Sequence, residues 1–138
     1  MKGAEPRGIS LRRVRHAFGE RAVLESVDLE LIQHRIAVIG ANGSGKSTLA
    51  RMLNGLIVPD HGQVLVHGLD TRRHGAAVRR LVGFVFTDPD AQILMPTVAE
   101  DVAFSLRRAK LSREETALRV RDALARIGLD SHADAPAH

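Results

Sequence analysis

The stretch from Gly40 to Thr48, G-A-N-G-S-G-K-S-T, limits the folds open to this chain more than any other feature. Ahead of it Ile36, Ala37, Val38 and Ile39 run apolar without alternation, as expected of a strand buried on both faces. Behind it Leu49, Met52 and Leu53 recur at helical spacing. Strand, glycine loop and helix in that order give the G-x-x-x-x-G-K-S pattern the context it needs. Gly40, Gly43 and Gly45 are expected to take positive φ and let the backbone come close to a polyphosphate. The loop amides and the helix N-terminus then direct partial positive charge at the phosphates. Lys46 would add a full charge on the β and γ oxygens, and the Ser47 hydroxyl would ligate Mg²⁺. The motif predicts binding of a nucleoside triphosphate.

At 138 residues, 44% hydrophobic and 26% charged, the chain has the size and composition of one globular domain. No window approaches the apolar length of a membrane span, and no apolar run follows the N-terminal charges as in a secretory signal. Cysteine is absent, which excludes disulfides. The net charge of +4 comes mostly from arginine, clustered at Arg12/Arg13/Arg15, Arg72/Arg73, Arg79/Arg80 and Arg107/Arg108. A reader of nucleic acid would pair such clusters with aromatics that stack on bases, yet there are four Phe, no Tyr and no Trp. With acidic residues interspersed, these arginines read as solvated surface with some attraction to acidic partners, and no nucleic-acid partner is expected.

Along the chain, residues 1 to 8 read as a loose tail and 9 to 138 as the folded part. Ile9 to Phe18 is a plausible first strand, and Val27, Leu29 and Leu31, alternating with Asp28 and Glu30, a half-buried antiparallel one. Two β segments before the loop place an antiparallel subdomain beside the nucleotide site. Phe18 is either a core residue at a strand end or an aromatic that stacks on an adenine ring. Asn54 and Gly55 stop the helix, Pro59 to Gly62 turn, Gln63 to Val66 form a short strand, and His67 to Asp70 turn again. His61, His67 and His74 fit no metal-ligand spacing and read as surface histidines.

Leu81 to Phe86 reads as a second buried strand, followed by a loop rich in Asp, Pro and Gln. Asp88 closes an apolar run, but Thr87 intervenes, Pro89 follows and no Glu stands where a general base belongs. A side-chain turn suits Asp88 better than a metal-binding role. Thr97 with Glu100, and Ser112 with Glu115, form two capping boxes. They open helices striped by Val98, Val102 and Leu106, and by Val120, Leu124 and Ile127, the second closed by Gly128. Asp130 to His138 carries no packing signal, and neither an internal repeat nor a domain linker is visible.

With these residues in hand, Gly40 to Thr48 resembles the Walker A loop of ABC-transporter ATPases, in which Gly40, Asn42, Gly43, Ser44, Gly45, Lys46, Ser47 and Thr48 bind the nucleotide. Phe18 stands where that family has its adenine-stacking aromatic, usually Tyr. Val82 to Gln92 with Met95 to Phe104 resembles the Q-loop region of ATPases in energy-coupling-factor importers, which take up cobalt, nickel and vitamins. Within that group the similarity is greatest to the biotin-transport type. The position that in most relatives holds a Gln touching Mg²⁺ and the attacking water is Thr87, a shorter side chain whose hydroxyl could still ligate. Gln92 matches a second Gln near the groove for a membrane subunit's coupling helix.

The resemblance implies an α/β P-loop NTPase of the ABC type with an N-terminal antiparallel β subdomain. It implies ATP and Mg²⁺ as cofactors, and as partners a membrane-embedded transporter subunit and a second ATPase subunit, identical or paralogous. It places the chain at the cytoplasmic face of the membrane, with biotin the leading solute and cobalt or nickel next. The family's Leu-Ser-Gly-Gly signature, Asp-Glu-ending strand and switch His do not occur, so the chain reads as the part of the domain before the signature, and as catalytically inactive on its own. The alternative is a binding module that holds ATP without hydrolysing it. A self-sufficient P-loop kinase would need an acceptor site and a lid that the sequence does not offer.

Overall fold

The computed structural model describes residues 8–88 and 90–138, which divide after Val85 into two compact units. The expected tail, residues 1–7, and Pro89 lie outside the described residues. Gly8, assigned to that tail, is tied down instead: it donates to His67 Nδ1 and accepts from the His67 amide at 2.8 Å.

The first unit is an antiparallel sheet with a helix on it. Strands β1 (Ile9–Phe18) and β2 (Arg21–Leu31) form a hairpin through a two-residue turn, in which Gly19 takes φ 60. Strand β3 (His61–Val66) pairs with the other edge of β1, and β4 (Leu69–Asp70) with β3, giving the order β2-β1-β3-β4. The β3–β4 connection is the two-residue turn His67–Gly68, both at positive φ, so the expected turn over His67 to Asp70 is really a hairpin tip. Helix α1 (Lys46–Leu53) lays Met52 into a core with Leu11, Val14, Leu24 and Val64. It ends as Asn54 and Gly55 predict. Gly55, at φ 71, donates to Met52 O, and Leu56 donates to Arg51 O, the paired bonds of a Schellman cap. A short helix, α2 (Gly75–Leu81), follows and buries only Val78.

The expected strands at 36–39 and 81–86 form no ladder. Leu81 closes α2, and the segment after it joins no strand of the sheet. Ile36 is 46% exposed, Ile39 92% and Val85 94%. A segment apolar on both faces needs a strand on either side to satisfy its backbone. The described residues supply none, so all the sheet seen here is antiparallel.

The second unit is helical. Helices α3 (Val98–Ser105) and α4 (Arg113–Arg126) each start in the expected capping box, with Thr97 and Glu100, and Ser112 and Glu115, bonding reciprocally. Val120 and Leu124 are buried on α4, whereas Ile127, placed on the same stripe, is 69% exposed. Ile127 has already left the helix as its C-cap, and Gly128 closes a second Schellman pair with Leu129. The last residues do pack, contrary to their polar look. Val98 and Ala99 donate to Ala135 O and Ala133 O, and Ala137 donates to Pro96 O. Ala133, Ala135 and Ala137 alternate as half-buried residues along this segment.

Candidate functional site

Gly45 is where the loop becomes helix. It is the N-cap of α1 at φ 89, and its carbonyl accepts from Leu49 N at 2.8 Å. A Cβ here would stand 3.0 Å from both Val23 Cγ1 and Val23 O, so Gly45 is required by space as well as by conformation. Gly43 also takes positive φ, at 80. Gly40 does not: its φ is ordinary, and a Cβ there would lie 2.8 Å from the Ser44 hydroxyl, which would have to turn aside. That corrects the expectation of three positive-φ glycines. The loop is held compact by Ser44 N donating to Ala41 O.

Lys46 folds back over the loop, its Nζ donating to Gly40 O and to Ala41 O at 2.7 Å each. No side chain caps α1, and no acidic residue lies in its first turn, in contrast to the capping boxes and acidic first turns of α3 and α4. This leaves the helix N-terminus to act through its amides on an anion. Ser47 is exposed at that end, and Thr48 is buried.

These residues line one open cleft of about 380 Å³, made by Phe18, Arg21, Val23, Asn42, Gly43, Gly45, Lys46, Ser47 and Thr48. The structure thus brings Phe18 to the loop across the β1–β2 hairpin. Its ring is 56% exposed and meets the His16 ring edge-on at 4.8 Å between centroids, leaving a face open for stacking. Ser44 and Gly40 belong to the same loop without lining the cleft. Arg21 does line it, its Nη2 close above Gly43, and sequence reasoning missed it. The signal was present only in register, since Arg21 pairs with Phe18 across the hairpin. The cleft therefore carries two cations and no carboxylate.

The other predicted residues lie in the second unit. Thr87 is exposed, and Gln92, exposed in a short 3₁₀ turn, donates through Nε2 to Asp88 O at 3.0 Å. No metal-ligating cluster occurs among the described residues, so His61, His67 and His74 do not converge on one. No helix among them is long and apolar enough to cross a membrane.

The ABC transporter family model matches residues 24–138. The biotin transport ATP-binding protein BioM of Rhizobium etli is 47% identical over 122 residues, 88% of this chain and 54% of that protein. The energy-coupling factor transporter ATP-binding protein EcfA1 of Symbiobacterium thermophilum is 45% identical over 121 residues, 86% of this chain and 42% of that protein. Several other relatives carry names that specify no solute. Among solved structures, cbiO1 from Clostridium perfringens, part of the ABC transporter complex cbiONQ, superposes with a TM-score of 0.80 at 29% identity, covering 93% of this chain and 53% of that one. The chain spans about half the length of the curated relatives it matches.

Proposed function

Since the chain belongs to the ABC transporter family, we propose that it is the ATP-binding portion of an ATPase subunit that energises an energy-coupling-factor importer. The observation that carries the reading is the cleft itself: a glycine loop, an uncapped helix start, Lys46 and the exposed ring of Phe18 on one concave surface. The adenine stacks on Phe18, the phosphates lie along the loop amides, and Lys46 exchanges its two carbonyl acceptors for phosphate oxygens. Arg21 adds charge at the phosphates' outer side.

The donor set of the cleft fits Mg²⁺ in one respect. Ser47 offers an exposed hydroxyl, a hard oxygen ligand, and with no carboxylate nearby the phosphates themselves would complete the shell. Bound there, Mg²⁺ would supply charge neutralisation to the phosphates. Thr87 is proposed as a second hydroxyl toward the metal, and Gln92 as a contact for the coupling helix of a membrane-embedded subunit. A second ATPase subunit, identical or paralogous, and a position on the cytoplasmic face of the membrane belong to the same reading. Biotin is the proposed solute, supported by the similarity to BioM, with cobalt or nickel next, supported by that to cbiO1.

Titration with ATP and AMP, with Mg²⁺ present or chelated, tests the nucleotide assignment. Tighter binding of ATP than AMP, strengthened by Mg²⁺, is expected; equal affinity for both would overturn it. Deleting the gene and following labelled biotin and cobalt uptake tests the solute. Lost cobalt uptake with biotin uptake intact would move the assignment to the metal.

A further inference from the structure

Arg12, Arg13 and Arg15 lie on β1, where an unbroken strand would send successive side chains to opposite faces. The strand is broken there. Pairing with β2 shifts register between Leu11 and Val14, and pairing with β3 shifts between Arg12 and Arg15. Arg13 stands at φ 47, and Ser26 on β2 at φ 49, both left-handed without being glycine. Gly62, at φ 81, presses against the carbonyls of Arg12 and Arg13 so closely that a side chain has no room. Strained backbone on facing strands persists only where its surroundings hold it, and such sites cluster where function needs an unusual shape.

Beside the bulge lies an open surface depression of about 610 Å³ lined by the exposed Arg12, Arg13, Arg15, Ser26, His61 and Gln63, with Gly62. It shares no residue with the glycine-loop cleft, and no carboxylate lines it. Carboxylates do border it, each held in a hydrogen bond: Asp70 accepts from the lining Gln63 at 2.8 Å. Asp28 accepts from the Arg13 amide at 2.8 Å, and Asp60 from the Ala17 amide while it pairs with His16. No carboxylate lies within ion-pair distance of any of the three guanidiniums among the described residues. Like charges gathered in a concave site with no carboxylate within ion-pair distance attract a multiply charged anion. Guanidinium forks match phosphate oxygens two at a time.

We propose that this depression beside the bulge binds a phosphate-bearing anion, at a site separate from the glycine loop and independent of the reading given to that loop. The phosphate could belong to a soluble ester or to an anionic lipid headgroup, and the experiment separates the two.

The background for the test is the Lys46→Ala chain, which weakens the competing loop, and the probe is inorganic pyrophosphate measured by calorimetry. Replacing Arg12→Gln and Arg15→Gln together should weaken binding at least about tenfold, since each guanidinium contributes a charge-assisted bond. Replacing Arg119→Gln and Arg121→Gln on α4 removes the same charge elsewhere and should change affinity by less than about twofold if charge acts locally. Equal weakening by both pairs, or none by the first, overturns the proposal. The variants Arg12→Lys and Arg15→Lys keep the charge and lose the fork, so an intermediate affinity from them supports it even if the Gln pair folds poorly. Cosedimentation with phosphatidylcholine vesicles carrying phosphatidic acid then assigns the source. Pelleting that depends on Arg12 and Arg15 and is displaced by pyrophosphate gives the lipid. Pyrophosphate binding without pelleting gives the soluble ester.

Discussion

Lys46 and Gly40 close the glycine loop on itself, the Nζ ammonium donating to the Gly40 carbonyl at 2.7 Å as it does to that of Ala41. Both acceptors are neutral, so a polyphosphate oxygen competes with them on favourable terms. Lys46→Ala should therefore lower ATP affinity by about ten- to a hundredfold, the equivalent of one or two charge-assisted bonds. Fluorescence titration with an ATP analogue measures this, and the circular dichroism spectrum should stay unchanged because the side chain binds only exposed loop atoms.

Gly45→Ala tests the other half of the loop. Its φ of 89 and the 3.0 Å approach to Val23 would be strained together, at a cost on the order of 1–3 kcal/mol or more. Gly19→Ala shares a positive φ, at 60, but a Cβ there meets nothing within 4 Å. Denaturant unfolding of the two variants should show Gly45→Ala as the more damaging; the opposite ranking would mean that the loop does not rest on β2.

Ser112 caps α4 by accepting from Glu115 N at 3.1 Å, while Glu115 accepts from Ser112 N at 2.8 Å. Ser112→Ala should cost about 1 kcal/mol, read as an earlier loss of helical signal on heating.

Asp60 sets a dependence on acid. The Ala17 amide holds its carboxyl below the ordinary 3.8, with burial opposing and His16 assisting. A depressed folded value means that its contribution is present above the unfolded pKa and is lost as pH falls through the folded one. The stability difference between the native chain and Asp60→Asn should shrink in acid below about pH 4. Urea titrations at several pH values would reveal it. A difference that persists unchanged into strong acid would remove Asp60 from the account.

Ile36, Val38, Ile39 and Val85 leave apolar side chains in solvent. The chain should self-associate as its concentration rises, and Ile39→Lys should reduce this. Sedimentation velocity over a dilution series measures it, with a single monomeric species throughout as the contrary result.

The parts of this architecture that could be read in advance are those whose signal is local. The capping boxes at Thr97 and Ser112 name their own partners three residues on, and Asn54–Gly55 marks the end of α1 because only such residues suit a left-handed cap. The glycine loop was legible for the same reason. What escaped depends on register or on weak apolarity. Helix α2 buries a single side chain, Val78, too little to show a period. Ala133, Ala135 and Ala137 alternate, but alanine barely distinguishes a buried face from an exposed one. Arg21 reaches the cleft, and the three arginines of β1 share a surface depression, through a hairpin register and a bulge. Ile36 to Ile39 misled in the opposite direction: the pattern of a buried strand states what the residues need, and the described residues do not provide it.

The bare first turn of α1 has a thermodynamic consequence. Helices α3 and α4 satisfy their leading amides from within the chain, so their stability is fixed by sequence alone. Helix α1 leaves its own without a side-chain cap, for the proposed nucleotide to meet. If nucleotide binds there as proposed, linkage would tie the melting temperature of this chain to the activity of free nucleotide, by about 2.7 kcal/mol at a hundredfold excess over the dissociation constant. Across a cell's range of energy charge, the same polypeptide would be a firmer or a looser object.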